Sequence, residues 1–242
     1  MSHTPVITIS SRTPDPIREP YFQFPAFLAS CKRQGIEPHF LNEGKYCGLM
    51  SKPRFLKSYL DREGAKFEHI IVLDSWDTLL LCGADEILYN WRGFGKPIVF
   101  NAERSHFPGI GLADKFPEAP TPYKFLNSGF LVGETAAVMS MLECMEKTWG
   151  FPDDVHNPDG TWMARNDQQD YSLYFLDHQD TVRLDTTAIL CQSLHNAEPN
   201  EFAFLPDKGR VISLLTKNQP CVVHGNGTGK EWLKRIIGWL QL

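Results

Sequence analysis

The chain has 242 residues, with 29 acidic and 24 basic side chains giving a formal net charge of −5, and it is 42% hydrophobic and 22% charged. This is the balance of an ordinary globular protein with a sizeable core; it argues against a disordered or low-complexity chain, and a single domain over residues 1–242 is the simplest organisation. The negative net charge gives no long-range attraction to polyanions, so nucleic acid could be a partner only through a local basic patch and is not favoured.

In chain order, Val6 to Ser10 is a short β-branched run that predicts a strand, and Tyr21 to Gln34 carries apolar residues at helical spacing before stopping at Gly35. Glu37 to Leu41 reads as a second strand, and Pro53 to Leu60 as a helix with proline near its first turn. His69 to Leu73 is a continuous apolar run ending abruptly in Asp74, the pattern of a parallel strand buried on both faces whose C-terminal end meets a crevice. Ala84 to Trp91 predicts a helix, Pro97 to Phe100 a strand, Phe125 to Gly133 a strand interrupted by Asn127-Ser128-Gly129, and Thr135 to Thr148 a helix. Phe151 to Asp167 is loop-like, and helical spacing resumes from Gln168 to Asp177. Val182 to Leu184, Phe202 to Leu205 and Cys221 to Val223 are short strands. Trp232 to Leu240 is an amphipathic closing helix whose Trp232, Ile236, Ile237, Trp239 and Leu240 serve either a core or an interface. Alternating strands and helices predict an α/β fold, a mainly parallel sheet with helices on both faces.

The six cysteines, Cys31, Cys47, Cys82, Cys144, Cys191 and Cys221, are far apart in sequence, with no C-x-x-C pair and no close Cys/His cluster, which suits reduced thiols. Met1 to Pro5 has no basic stretch leading into an apolar one, and no run reaches roughly eighteen apolar residues, so a cytoplasmic protein with no membrane span is expected.

Two stretches carry the strongest chemical signal. Asp74-Ser75-Trp76-Asp77 follows the buried strand, where ligands gather in open α/β sheets. Mn²⁺ or Mg²⁺ prefers hard oxygen ligands and can bridge a carboxylate to phosphates, so D-x-x-D there suits a nucleotide-diphosphate site; a turn cap beside a solvated carboxylate is the plainer alternative. His224-Gly225-Asn226-Gly227-Thr228-Gly229-Lys230 follows a strand and precedes the last helix, so its glycines can admit an anion to the backbone while Lys230 offers a charge and His224 an imidazole. Its spacing is wrong for a Walker A loop, Glu231 stands where that motif needs Ser or Thr, and a simple glycine-rich turn is the alternative. Asn166-Asp167-Gln168 sits at a loop-to-helix boundary, where capping is the ordinary role. Asn127-Ser128-Gly129 reads as a bulge or as a polar approach to a sugar. His39, His106, His178 and His195 have no evident sequence partner and read as structural.

Taken together, K-P-R-F-L-K (Lys52 to Lys57), V-L-D-S-W-D (Val72 to Asp77), V-F-N-A-E (Val99 to Glu103), F-L-N-S-G (Phe125 to Gly129), N-D-Q (Asn166 to Gln168), Y-F-L-D (Tyr174 to Asp177) and V-V-H-G-N-G (Val222 to Gly227) occur in an order and at spacings that resemble the N-terminal glycosyltransferase domain of procollagen lysyl hydroxylases. The resemblance spans nearly the whole chain. It implies a GT-A-type, Rossmann-like fold, Mn²⁺ (or Mg²⁺) as cofactor, and a UDP-sugar donor, UDP-glucose or UDP-galactose, with an acceptor hydroxyl of open class. By the same resemblance Asp74, Asp77 and His224 hold the metal. Lys52 and Lys230 face the diphosphate, Ser11 lies near the nucleoside and Asn226 near the phosphates. Asp167, Glu103, Asn127 and Gln192 lie by the sugar or acceptor, with Asp167 the leading essential carboxylate. Three positions depart from the family pattern: Asn166 replaces one of a run of aspartates, Phe130 replaces a glycine and is expected to narrow the pocket, and Phe107 replaces a tryptophan.

The implied reaction is electrostatic: the cation and the lysines offset charge on the leaving diphosphate, and, if the anomer inverts, Asp167 or Glu103 takes the acceptor proton. A nucleotide-sugar hydrolase and a non-catalytic UDP-sugar-binding module remain the competing readings.

Overall fold

The computed structural model describes residues 4–9, 23–41, 46–109, 111–152, 155–156, 162–163 and 166–242, and every structural statement below concerns these residues. Ser11 and parts of the predicted first strand, first helix and the 151–167 loop lie outside them. The elements are β1 (Val6–Ile9), α1 (Phe24–Arg33), β2 (His39–Leu41), α2 (Ser51–Glu63), β3 (His69–Leu73), β4 (Thr78–Leu80), α3 (Ala84–Arg92), β5 (Ile98–Glu103), β6 (Phe125–Glu134), α4 (Thr135–Trp149), β7 (Val155–His156), β8 (Trp162–Met163), α5 (Asp167–Asp177), β9 (Val182–Asp185), β10 (Cys191–Ser193), β11 (Phe202–Leu205), β12 (Arg210–Ser213), β13 (Val222–His224) and α6 (Lys230–Leu240).

The main sheet has the order β2-β1-β3-β6-β5-β9. Its neighbours pair in parallel except around β6, which runs against both β3 and β5. A smaller sheet, β10-β13-β4, joins β10 and β13 in parallel and sets β4 antiparallel to β13. This is the expected mixed, mainly parallel α/β sheet.

Side-chain alternation explains the layering. Along β3, Ile70 and Val72 turn to one face with Leu56 and Leu60 of α2, Met141 and Met145 of α4, and Tyr171 and Phe175 of α5. Ile71 and Leu73 turn to the other, against Phe27 of α1, Ile87 and Trp91 of α3, and Leu80 and Val222 of the small sheet. That small sheet is itself covered: Leu79 and Val223 face Leu233, Ile236 and Leu240 of α6. Each such burial contributes roughly 1.5–3 kcal/mol relative to exposure, and strands buried on both faces read as unbroken apolar runs. The apolar stripe of α6 thus serves the core through Ile236 and Leu240, while Trp239 stays exposed and stacks on Phe204. No helix among the described residues is long and apolar enough to cross a membrane.

Asn127-Ser128-Gly129 does not interrupt β6. The ladder jumps register instead: Phe100 pairs with Leu131 but Asn101 with Asn127, so the intervening residues bulge between the two pairings. The sequence reading had no counterpart for β4, β10 and β12: strands this short show no period of their own, β4 and β10 exist through β13, and β12 pairs back on β11 across a short turn. Residues 155–156 and 162–163, inside the segment read as a loop, pair as β7 and β8.

Asp185, at the end of β9, is 1% exposed and accepts hydrogen bonds from the backbone N–H groups of Thr187, Ile189, Leu190 and Cys191 at 3.3, 3.1, 2.6 and 2.9 Å. Burial raises its carboxyl pKa and those donors only partly oppose the shift. The carboxylate therefore shapes the turn that delivers β10. Asp185→Ala should destabilise the fold by roughly 2–4 kcal/mol, because buried donors lose their acceptor. Urea denaturation should show the midpoint falling at an unchanged slope.

Candidate active site

β3 ends at Leu73, and the turn into β4 carries Asp74 and Asp77. β4 then pairs with β13, with Thr78 opposite His224, and the Gly225 N–H donates to the Asp77 carbonyl at 2.7 Å. This ladder brings the two remote segments together. His224 Nε2 lies 3.3 Å from Asp77 Oδ1, and one ligand atom each from Asp74, Asp77 and His224 fall within 4.8 Å of one another. Two carboxylates and an imidazole at this spacing fit a hard-to-intermediate divalent cation such as Mn²⁺.

The imidazole is held from behind. Its Nδ1 is 3.0 Å from Asn127 Oδ1, which also accepts from the Gly129 N–H at 2.9 Å and the Asn101 amide at 3.4 Å. Because that oxygen acts as an acceptor, Nδ1 carries the proton and Nε2 is turned toward Asp77. Only glycine fits at 129, since a Cβ there would lie 2.1 Å from His224 Cε1. Burial disfavours the charged imidazole, yet Asp77, Asp74 and Glu103 outweigh it and raise the His224 pKa. Burial likewise works against the Asp77 carboxylate, and His224, Lys52 and Lys230 outweigh it and lower its pKa. His224 and Asp77 thus each favour the charged form of the other.

Lys52 enters from the first turn of α2. Its Nζ is 2.6 Å from Asp74 Oδ1 and 3.7 Å from Asp167 Oδ2. Burial opposes its charge, but Asp74 and Asp167 overcome that and hold the ammonium protonated. Asp167 opens α5, while the preceding Asn166 performs the capping, its Oδ1 accepting from the Gln168 N–H at 2.8 Å. Asp167 is thereby released from the cap and is 2% exposed, with an Oδ2 that has no hydrogen-bond partner. Burial raises its pKa, and Lys52 opposes the shift without cancelling it.

Glu103, one of the two carboxylates expected to take a proton, is held by amides. Its Oε1 accepts from Asn127 Nδ2 at 3.0 Å and Gln168 Nε2 at 2.7 Å, and its Oε2 from Asn226 Nδ2 at 2.9 Å. Both oxygens are engaged, and Glu103 organises the amides around His224. Gln168, quoted in a motif but given no role, closes the same network: its Oε1 accepts from the Ser128 N–H at 3.1 Å and from Asn127 Nδ2 at 3.3 Å.

A cavity of about 360 Å³ opens over this network, and Lys52, Asp74, Asp77, Glu103, Asn127, Asp167, His224 and Asn226 all line it. Gln192 does not line it. That side chain is buried one layer behind, donating to the Ser193 carbonyl at 2.8 Å, while Ser193 Oγ donates to Asn226 Oδ1 at 2.8 Å. Lys230 is not in the wall either, although its charge reaches Asp77. Phe130 does not line the pocket: it is fully buried, opposite Leu73, in the core cluster that holds Ile71 and Val132. Phe107 does reach the cavity and is exposed. His195, read as structural, is in the wall as well, its Nδ1 accepting from the Thr228 N–H at 3.1 Å. Gly227 follows in a left-handed conformation, φ +53°, and a Cβ there would strike the His195 ring. The glycines of this loop thus serve tight packing at the cavity wall, a role that composition alone does not separate from anion binding.

Gly129→Ala should push His224 out of line with Asp77 and weaken divalent-cation binding about 10–100-fold, as losses of support behind a metal ligand do. Titration calorimetry with Mn²⁺, beside a circular-dichroism check of the fold, measures this.

Over a mixed α/β sheet, these features define a domain of the glycosyltransferase class. Residues 4–241 match the family described as the PLOD GT domain, and the chain belongs to that family. It is 28% identical over 191 residues to human "Multifunctional procollagen lysine hydroxylase and glycosyltransferase LH3", covering 76% of this chain and 24% of that protein. It is 26% identical over 244 residues to human "Procollagen-lysine,2-oxoglutarate 5-dioxygenase 1", covering 97% of this chain and 31% of the other. "Uncharacterized protein R699" of Acanthamoeba polyphaga mimivirus is 28% identical over 175 residues, covering 71% and 34%. The chain thus spans between 24% and 34% of the length of these relatives. Among solved structures, a glycosyltransferase involved in glycosylation of the major capsid of PBCV-1 aligns with a TM-score of 0.48 and 12% identity over 98% of this chain and 100% of the other.

Proposed function

We propose that this domain is a metal-dependent hexosyltransferase that takes the sugar from UDP-glucose or UDP-galactose and transfers it to an acceptor hydroxyl. The observation that carries the reading is the convergence of Asp74, Asp77 and His224 on one point of the cavity. Mn²⁺ or Mg²⁺ held there would supply positive charge beside the departing diphosphate. Lys52, kept protonated between Asp74 and Asp167, adds a fixed charge in the same wall, and Lys230 contributes from behind it. Asn226, steered by Ser193 and Glu103, presents its amide at the cavity edge. Of the two carboxylates considered for proton transfer, Asp167 is better suited than Glu103. It has an oxygen without a hydrogen-bond partner and a raised pKa, whereas both Glu103 oxygens are occupied.

The test is UDP release from a panel of UDP-sugars with Mn²⁺. Release should require the cation and fall to background in Asp77→Ala and in His224→Ala; unchanged turnover in either variant removes that residue from the mechanism. Asp167→Asn should lower kcat by about 10²–10⁴ while UDP binding is retained, the range for a lost acid–base group. Steady-state kinetics paired with UDP titration separates the two effects.

A further inference from the structure

The β4–β13 ladder has a second cluster at its other end. Asp77 precedes β4 and Cys82 follows it; His224 ends β13 and Cys221 precedes it. One ligand atom each from Cys82, Cys221 and Glu86, in the first turn of α3, lie within 4.8 Å of one another. The thiols are 3% and 0% exposed, while Glu86 reaches solvent.

Polar groups surround these ligands. Asn90 Nδ2, one turn beyond Glu86, donates to Cys221 Sγ at 3.3 Å. Arg210 donates through one nitrogen to both Glu86 oxygens at 2.9 and 3.2 Å, and through the other to the carbonyls of Gln219 and Pro220 at 2.9 and 3.3 Å. The guanidinium therefore ties the carboxylate to the backbone just ahead of Cys221. Two thiols acting only as core filling would not need a carboxylate and an amide against them.

We propose that Cys82, Cys221 and Glu86 supply three ligands of a four-coordinate site for a thiophilic divalent cation of the zinc class, with solvent on the exposed Glu86 side supplying the fourth. Thiolate sulfurs favour Zn²⁺ over Mn²⁺ or Mg²⁺, so this site and the oxygen-rich one at Asp74 and Asp77 select different ions. On binding, each thiol gives its proton to solvent and its sulfur pair coordinates the cation, with no change of oxidation state. Joining the end of β4 to the start of β13, the cation clamps the register that sets Asp77 beside His224. The site does not depend on the proposed activity.

Co²⁺ titration of the reduced, metal-stripped full chain tests this, because the thiolate-to-Co²⁺ charge-transfer band in the near ultraviolet cannot arise from Asp74, Asp77 and His224. The expected result is that band saturating at about one equivalent, with tetrahedral visible bands, and its displacement by Zn²⁺. Cys82→Ser and Cys221→Ser should each abolish it, His224→Ala should retain it, and Glu86→Gln, a change at an exposed side chain, should weaken Zn²⁺ binding by about tenfold or more. If a serine variant fails to fold, the wild-type and Glu86→Gln titrations still decide. No charge-transfer band in folded reduced protein would overturn the proposal. So would a band that survives both serine variants, or a Cys82–Cys221 disulfide forming in air in a chain that takes up no metal when reduced.

Discussion

The antiparallel pairing of β4 with β13 is the contact on which the rest depends. It spans only Thr78 to Leu80 against Val222 to His224, yet it joins the turn after β3 to a segment from near the end of the sequence. A slip of one residue would reverse which side chains face α6 and which face the main sheet, so the apolar packing of Leu79, Leu80, Val222 and Val223 enforces the polar geometry beyond it. Asp77 and His224 meet because the hydrophobic layers on either side of this small sheet leave it one register.

Around that contact the protein buries a network of polar side chains. Glu103, Asn127, Gln168 and His224 are all nearly inaccessible, and their hydrogen bonds leave little freedom to any of them. Such a network is costly if half made and rigid when complete, which suits side chains that must present a fixed ligand set. Lys52 and Asp167 behave differently: Asp167 is buried and Lys52 half-buried, both have raised pKa values, and they share a cavity wall in which Asp167 retains an oxygen without a hydrogen-bond partner. Glu103 and Asp167 thus differ in what already occupies their oxygens.

The strands most buried in the main sheet were the most legible in sequence. His69–Leu73, continuous and apolar, gives both its existence and its bounds; outside the main sheet, the short runs around Phe202 and Val222 are found to within a residue. Three-residue strands such as β4 and β10 were not legible, since their stability lies in a partner more than a hundred residues away or in a carboxylate such as Asp185 that shapes the approach. Phe130 shows the same limit for a single side chain. Its place in a polar motif suggested the pocket, and the bulge in β6 rotates it into the core.

The sequence by itself determined the fold class, through alternating strand and helix patterns, and it contained the family motifs and the chemical identities of Asp74, Asp77, His224 and Lys52. Periodicity reports which faces are buried, and residue type reports which chemistry is available. Tertiary structure alone decided how those groups are used: that Glu103 binds amides, that Asn166 caps so that Asp167 need not, that Gln192 stands behind the wall, and that Gly129 is an absence required by an imidazole. Such roles depend on distances between residues remote in the chain. No local pattern encodes them, because they arise only when the packed layers fix one strand register.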